Sequence, residues 1–530
     1  MQFDAPEGFA IVLRTMSTSL HFLRSFPHLR SSVAALLAGG LLALPGCTSD
    51  SEPGGPAGSG PVGSAGRGGA AGAASGGAAS GGAPSGGAGG TSGAGGAGSG
   101  GETALHMPWE WTGIIGTGQS LSVGEPDGVR NTAAAAARLT TQPFNNKQLS
   151  TGSLAWPVDS NDASLALVPL IEPIGRPSTA YPSSWPTNIA GETHHSAMAN
   201  QITTLVKAGG ASDYVTIHSA VGENGQRLDL LKKNAVPEGV TGHAYEATLI
   251  ETRAITRLAQ AAGKTYGVGA ITVTHGESDA GDATYATRLH QVYTDYVADI
   301  TAITGQTEPP LMIVSQQHSS GADRTPSTLE EWRIGAMYPN EVVCSGPKYQ
   351  YPYTPDSVHL MVEGYELMGE KYAQIYYERV VLGHDWQPLQ PTQAARNGRV
   401  VTVTFHVPVA PLVWETTFSA PHQGTPAWSA GKGFELRSGA APVAIASVEI
   451  AGDTVQITAA EDLPASGLTV GYALGQDPPV VDGGTTAPPM TQPFLGTFRW
   501  GQLRDSDPFV GSTTQKAQPN FSVAFELPVP

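Results

Sequence analysis

Two hydrophobic periods alternate through the middle of this chain. Tyr214–Ile217, Tyr266–Thr274 and Leu311–Ser315 are short, nearly continuous apolar or β-branched runs and predict buried strands, as does the weaker run Leu165–Ile171. Between them, apolar residues recur at helical spacing. Glu192–Ala208 sets Met198, Ile202, Leu205 and Val206 on one stripe. Ala244–Ala262 predicts a helix that stops at Gly263, a fitting residue just past a helix end. Ala283–Ile303 places Tyr285, Leu289, Val292, Tyr296 and Ile300 on one face, with Gly305 beyond its end, and Val362–Val381 carries Tyr365, Leu367, Met368, Tyr372 and Ile375. The alanine-rich Asn131–Leu139 is also expected to be helical, and the Pro-, Ser- and Asn-rich stretch from Thr141 to Pro186 predicts long loops around its one strand. Strand and helix in alternation predict a parallel sheet with helices on both faces, an α/β fold whose ligands bind at the carboxyl ends of the strands.

From about Gln387 the helical period disappears. Val400–Val407, Val443–Ile450, Thr454–Thr458, Leu468–Ala473 and Phe521–Leu527 are short alternating or β-branched runs separated by Gly, Pro, Asp and Asn. This pattern predicts a C-terminal β-sandwich over residues 385–530. Near its end, W-G-Q-L-R-D-S-D-P (Trp500–Pro508) offers two readings: Arg504 touching substrate, or a structural Arg–Asp turn. Asp505 and Asp507 are too few for a calcium loop.

Several predicted strands run into glycine-bearing polar turns. Thr112–Gly124 reads T-G-I-I-G-T-G-Q-S-L-S-V-G and presents Ser120 before a possible helix start; alone, this is also an ordinary strand-to-helix turn. Tyr214–Ile217 leads into His218-Ser219-Ala220-Val221-Gly222-Glu223-Asn224-Gly225-Gln226, and Tyr266–Thr274 into His275-Gly276-Glu277-Ser278-Asp279. Asp356-Ser357-Val358-His359 precedes the last long helix. A serine nucleophile needs a base for its hydroxyl proton, and the base needs a carboxylate to hold its tautomer. Asp356, three residues before His359, can fold back under the imidazole within one turn. The backbone N–H groups of Ser120 and Gly225 are candidates for the oxyanion. His194 and His195, at the start of a predicted helix, are expected to be solvated caps rather than cleft residues.

Composition narrows the class. The chain has 530 residues, enough for two or three units, and a formal net charge of -17 with its acidic residues dispersed. That balance argues against nucleic acid or an anionic membrane surface as partner and leaves a neutral, sugar-like substrate plausible. Two cysteines, Cys47 and Cys344, cannot provide a disulfide framework. Arg14, Arg24 and Arg30 precede the apolar run Val33–Leu44, which ends in Leu44-Pro45-Gly46-Cys47. This predicts a signal peptide over 1–47, with Met16 an alternative start, and its end resembles the lipobox of bacterial lipoproteins. The resemblance implies lipidation of Cys47; Pro45 departs from the commonest pattern, and an incidental cysteine is the other reading. Residues 48–104 are almost entirely Gly, Ala and Ser and predict a disordered tether. The expected location is therefore the cell envelope, through a lipid anchor at the outer membrane or cell surface, or outside the cell.

Together, G-Q-S-L-S-V-G, H-G-E-S-D-A and D-S-V-H-L resemble the SGNH-hydrolase superfamily, nearest its sialate O-acetylesterase-like and acetylxylan-esterase-like branch. That branch shows G-Q-S early, W-H-Q-G-E-x-D in the middle and D-x-x-H late. The resemblance runs from about Pro108 to Gly383, within a unit expected to span 105–384. It implies a flavodoxin-like three-layer α/β/α sandwich that removes acetyl groups from carbohydrates without metal or organic cofactor. It further implies Ser120 as nucleophile, His359 as base, Asp356 as its orienting acid, Gly225 (or nearby Gly222) in the oxyanion hole, and Glu277 as a support of the histidine or of the site. V-T-H-G-E departs from the pattern: His275 stands where the family's glutamine contributes an oxyanion donor. Two other readings compete, a non-catalytic glycan-binding surface lipoprotein and a lipase-like hydrolase of the same superfamily.

Overall fold

The computed structural model of the protein describes residues 104–124, 138–153, 159–175, 191–235, 243–319, 323–354, 356–422, 424–475 and 499–530. The expected signal peptide with Cys47, nearly all of the tether, and the alanine-rich stretch up to Ala137 lie outside these residues.

The first half runs β1 (Trp111–Gly118), α1 (Ser120–Val123), β2 (Lys147–Leu149), β3 (Leu167–Pro169), α2 (His195–Ala208), β4 (Val215–Ala220), α3 (Leu228–Leu231), α4 (His243–Ala261), β5 (Tyr266–Thr274), α5 (Tyr285–Thr304), β6 (Leu311–Gln316), α6 (Pro326–Met337), β7 (Val342–Pro347) and α7 (Val362–Tyr376). The seven strands form one sheet in the order β3-β2-β4-β1-β5-β6-β7, with only β3 antiparallel to its neighbour. Alternation along β1 sends Ile114 to one face, with Met198 and Ile202 of α2 and Tyr365 and Met368 of α7. It sends Ile115 to the other, with Tyr245 and Leu249 of α4 and Leu289 and Tyr296 of α5. The sheet is thus buried on both faces, which is why its strands read as continuous apolar runs. After β1 the chain builds outward on one side and then returns to place β5 on the other. β1 is therefore the switch point, where the loops after β1, β4 and β5 open side by side.

α6 and β7 had no counterpart among the predicted elements. The apolar stripe of α6 is broken by buried Glu330 and Glu331, and Pro326 occupies its first turn. The run Val362–Val381 is α-helical only to Tyr376 and closes in a π-turn, Tyr377–Val381.

The C-terminal region adds β8 (Gln390–Asn397), β9 (Val400–His406), β10 (Val413–Trp414), β11 (Phe434–Ser438), β12 (Ala441–Val443), β13 (Ile445–Ala451), β14 (Thr454–Ala459), β15 (Leu468–Tyr472), β16 (Leu503–Arg504) and β17 (Phe525–Val529). They form two four-stranded sheets, β12-β11-β15-β17 and β13-β14-β9-β8, and the short pair β10-β16, all antiparallel. Their common core takes in Leu329 and Trp332 of α6, Cys344 of β7 and Tyr349. Gln316 makes a two-way bond with the backbone of Ala524, accepting from its N–H at 2.8 Å and donating to its carbonyl at 2.9 Å. The described residues belong to one compact unit.

Candidate active site

Ser120 opens α1 directly after the end of β1. The turn requires Gly118: its φ is +137°, and a Cβ there would lie 2.2 Å from the Thr274 carbonyl oxygen of β5. That contact draws the ends of β1 and β5 together, and the Gln119 N–H donates to the same carbonyl at 3.3 Å.

Asp356 and His359 come from the loop after β7 and reach back across the sheet. The turn is held by the carboxylate itself: Asp356 Oδ1 accepts from the N–H groups of Val358 at 2.9 Å and His359 at 3.0 Å, and from the Thr354 hydroxyl at 2.6 Å. Asp356 Oδ2 lies 2.7 Å from His359 Nδ1, and His359 Nε2 lies 2.7 Å from Ser120 Oγ. A carboxylate only accepts, so Nδ1 carries the proton. Nε2 is then left with a lone pair, and the Ser120 hydroxyl donates to it. Burial alone would raise the Asp356 carboxyl's pKa. The hydrogen bond and charge of His359 outweigh burial and hold the pKa well below the usual carboxylate range.

The loops after β4 and β5 complete the surroundings. Gly225 sits at φ +69° with open space where a Cβ would be, and its N–H has no partner among the described residues. Its carbonyl accepts from the Ser278 hydroxyl at 3.1 Å. His275 is buried, and its Nε2 lies 3.0 Å from the Gln226 carbonyl while Tyr285 OH lies 2.7 Å from its Nδ1. Burial lowers its pKa, so the ring is neutral and has one N–H. The Gln226 carbonyl can only accept, so that N–H is spent there, and Nδ1 accepts from Tyr285. In this arrangement His275 ties the β4 loop to the β5 loop and has no proton left for an oxyanion. Glu277 pairs with the buried Lys348 ammonium and accepts from Ser319 Oγ at 3.4 Å, so it braces the loop rather than bonding His359.

His194 and His195 are not solvated. Both are fully buried on α2 against the sheet: His194 Nε2 lies 2.8 Å from Thr272 Oγ1, and His195 Nδ1 lies 2.9 Å from His218 Nδ1. Desolvation pushes the His194 pKa down to about 3 and those of His195 and His218 down as well. Arg504 donates to Glu415 Oε2 and to the Asp505 carbonyl, both at 2.9 Å, which is the structural of its two readings. Sequence reasoning passed over Gln119 and Ser278, although both lie inside the quoted motifs. The Ser278 N–H donates to Gln119 Oε1 at 3.1 Å, a bond across 159 positions that spacing cannot reveal. Behind the β5 loop, Ser327 Oγ donates to the Gly276 carbonyl at 3.0 Å, Gln317 Nε2 donates to Ser327 Oγ at 3.0 Å, and the buried Arg499 donates to Gln317 Oε1 at 3.2 Å. Among the described residues no group of three or more His, Cys, Asp or Glu side chains has a geometry fit for a metal ion, and no helix is long and apolar enough to cross a membrane.

No protein-family model matches the chain, and no curated protein matches it. Among solved structures it is similar to a carbohydrate acetylesterase from Xanthomonas citri, at 12% identity over 78% of this chain and 80% of that one, with a TM-score of 0.47. It is also similar to a protein from Arabidopsis thaliana (16% identity, 52% of this chain and 100% of that one, TM-score 0.36). A third similarity is to a carbohydrate acetylesterase from Sinorhizobium meliloti (11% identity, 50% and 97%, TM-score 0.27).

Proposed function

We propose that this chain is a serine esterase that removes O-acetyl groups from carbohydrates, held at the cell envelope by its N-terminal segment. The observation that carries this reading is the unbroken line Asp356–His359–Ser120, with 2.7 Å at each step. In it Ser120 Oγ attacks the acetyl carbonyl as its proton passes to His359 Nε2. The imidazolium so formed is stabilised by the Asp356 carboxylate, which stays ionised. The tetrahedral oxyanion is met by the N–H groups of Ser120 and Gly225. Collapse breaks the ester C–O bond, and His359 returns the proton to the departing sugar oxygen. A water molecule, deprotonated by His359, then attacks the acyl-serine and releases acetate. No step requires a group beyond the chain and water.

Polarity supports a sugar as the alcohol. Beside Ser120 stands Gln119, whose side chain is bonded to Ser278, and these polar groups suit a polyol better than a long acyl chain. A non-catalytic binding role leaves the alignment of three side chains without purpose.

The test is acetate release from a panel of acetylated glycans and from aryl acetates, with Ser120→Ala alongside. The expected result is turnover of short acetyl esters and a loss of at least about 10⁴-fold in kcat for the variant. Undiminished activity in Ser120→Ala would sink the proposal, and preference for long acyl esters would move it to lipase-like chemistry.

A further inference from the structure

The two oxygens of the Asp356 carboxylate are held differently. Oδ2 faces His359 Nδ1 at 2.7 Å, and Oδ1 accepts from the Val358 N–H at 2.9 Å, the His359 N–H at 3.0 Å and the Thr354 hydroxyl at 2.6 Å. The two N–H groups come with the turn, whatever side chains it carries. The hydroxyl depends on the residue at 354. Thr354 is 1% exposed, whereas the Asp356 side chain keeps 23% of its surface open to solvent. Thr354 Oγ1 also lies 3.2 Å from the His359 carbonyl, and that oxygen, like the carboxylate, only accepts. A hydroxyl has one proton, and the shorter bond to the charged oxygen takes it. The His359 carbonyl is served instead by the Thr354 N–H at 2.8 Å.

Thr354 thus holds both members of the pair, the acid by its side chain and the base by its backbone. The turn closes around it. The Ser357 N–H donates to the Thr354 carbonyl at 3.0 Å, the Met361 N–H donates to the Pro352 carbonyl at 2.9 Å, and Tyr353 pairs with Leu360. A carboxylate in such a turn can still rotate about its Cβ–Cγ bond, which lifts Oδ2 away from Nδ1. Three donors on Oδ1 oppose that rotation, and the hydroxyl is the nearest of them. The hydroxyl also favours the charged form. Burial raises the carboxyl's pKa, and the Thr354 bond joins His359 in lowering it.

We infer that Thr354 is a positioning residue of the proposed reaction: its hydroxyl fixes the Asp356 carboxylate against His359 Nδ1 while the imidazole carries the proton of Ser120. The inference rests on the serine-esterase reading, and the experiment separates the two. Thr354→Val keeps the shape and the N–H bond to the His359 carbonyl and loses the hydroxyl; Thr354→Ser keeps the hydroxyl. Each is measured on an aryl acetate for kcat, KM and the pH profile of kcat/KM, and for thermal midpoint, beside Ser120→Ala. In Thr354→Val, kcat is expected to fall about 10–10²-fold, with KM within about threefold of wild type. A carboxylate without this donor favours the protonated state of the acid–base pair, so the acid limb of the profile moves up by about 0.5 to 1 pH unit. Thr354→Ser keeps wild-type behaviour in both. A wild-type kcat in Thr354→Val, an unmoved acid limb, or a Thr354→Ser that behaves like Thr354→Val overturns the inference, and with Ser120→Ala inactive the esterase reading stands. If Thr354→Val does not fold, Thr354→Cys, with a weaker donor in nearly the same shape, carries the test. It is expected to shift kcat and the acid limb in the same directions, and a wild-type profile overturns the inference. An active Ser120→Ala overturns both.

Discussion

The Asp356 carboxylate determines which nitrogen of His359 is basic. With Nδ1–H bound to Oδ2 at 2.7 Å, the lone pair faces Ser120. An asparagine at 356 can turn its NH₂ toward Nδ1, which moves the ring proton to Nε2 and blocks acceptance from the serine. Asp356→Asn is therefore expected to lower kcat by about 10⁴-fold with little change in KM, read from steady-state kinetics on an aryl acetate. This half of the site was legible in the sequence because its geometry is local: three residues bring the acid under the ring, whatever the rest of the fold does. The part expected of His275 was not. An imidazole at 275 offers one N–H, and only the positions of Gln226 and Tyr285 show where it goes. Gln119 was passed over because its bond runs to Ser278, in a loop brought beside it by the parallel pairing of β1 and β5.

At the scale of elements, helices with an unbroken apolar stripe were readable almost to their ends, and buried polar groups hid either their own burial, in α2, or the helix itself, in α6. α2 places two histidines against the sheet, where Tyr372 packs edge-on to His194 at 5.1 Å and His195 meets His218. Helix-start histidines look solvated in sequence; here α7 closes over them. The consequence is pH-dependent stability of definite sign. His194 titrates near 3 in the folded chain because burial disfavours its charge, against about 6.5 when unfolded. As pH falls, the unfolded chain takes up the proton first. The contribution is fully present above pH about 6.5 and is lost toward pH 3. Buried Glu172 and Glu192, at or just before the start of α2, shift upward and act in the opposite sense, so the difference between two proteins is the informative quantity. Gln at 194 can keep a bond to Thr272 and does not titrate. In denaturant unfolding across pH 3 to 6.5, His194→Gln is expected to reduce the slope of stability against pH by about 1.4 kcal/mol per unit. An unchanged slope contradicts the buried, neutral assignment. α6 was missed for a related reason: Glu331, buried in its middle, serves the Gln317 N–H and carries a raised pKa, so the helix has no clean apolar stripe to read.

Across the whole molecule, the change from alternating strand and helix to strands alone near residue 387 marked where the antiparallel sheets begin. It did not show how closely they are joined to the rest. Leu329, Trp332 and Tyr349 belong to the core of the C-terminal sheets, and each read in sequence as part of the first unit. Polar ties follow the same course. The buried Lys371 ammonium of α7 donates to the Gln518 carbonyl at 2.8 Å and to Asn520 Oδ1 at 2.9 Å, and Glu370 accepts from the N–H groups of Thr513 and Thr514. α7 follows the Asp356–His359 turn directly, so the C-terminal residues brace the helix that carries the base into place. Arg499 does the same for the β5 loop through Gln317 and Ser327. The proposed chemistry converges on one oxygen atom, Ser120 Oγ, as its nucleophile. The most direct measurement is peptide mapping by mass spectrometry after exposure to a fluorophosphonate, on the wild type and on His359→Ala. A single phosphonylated residue at Ser120, absent from the His359→Ala protein, is the predicted result. An unlabelled Ser120 in the wild type, or equal labelling without His359, would contradict the account.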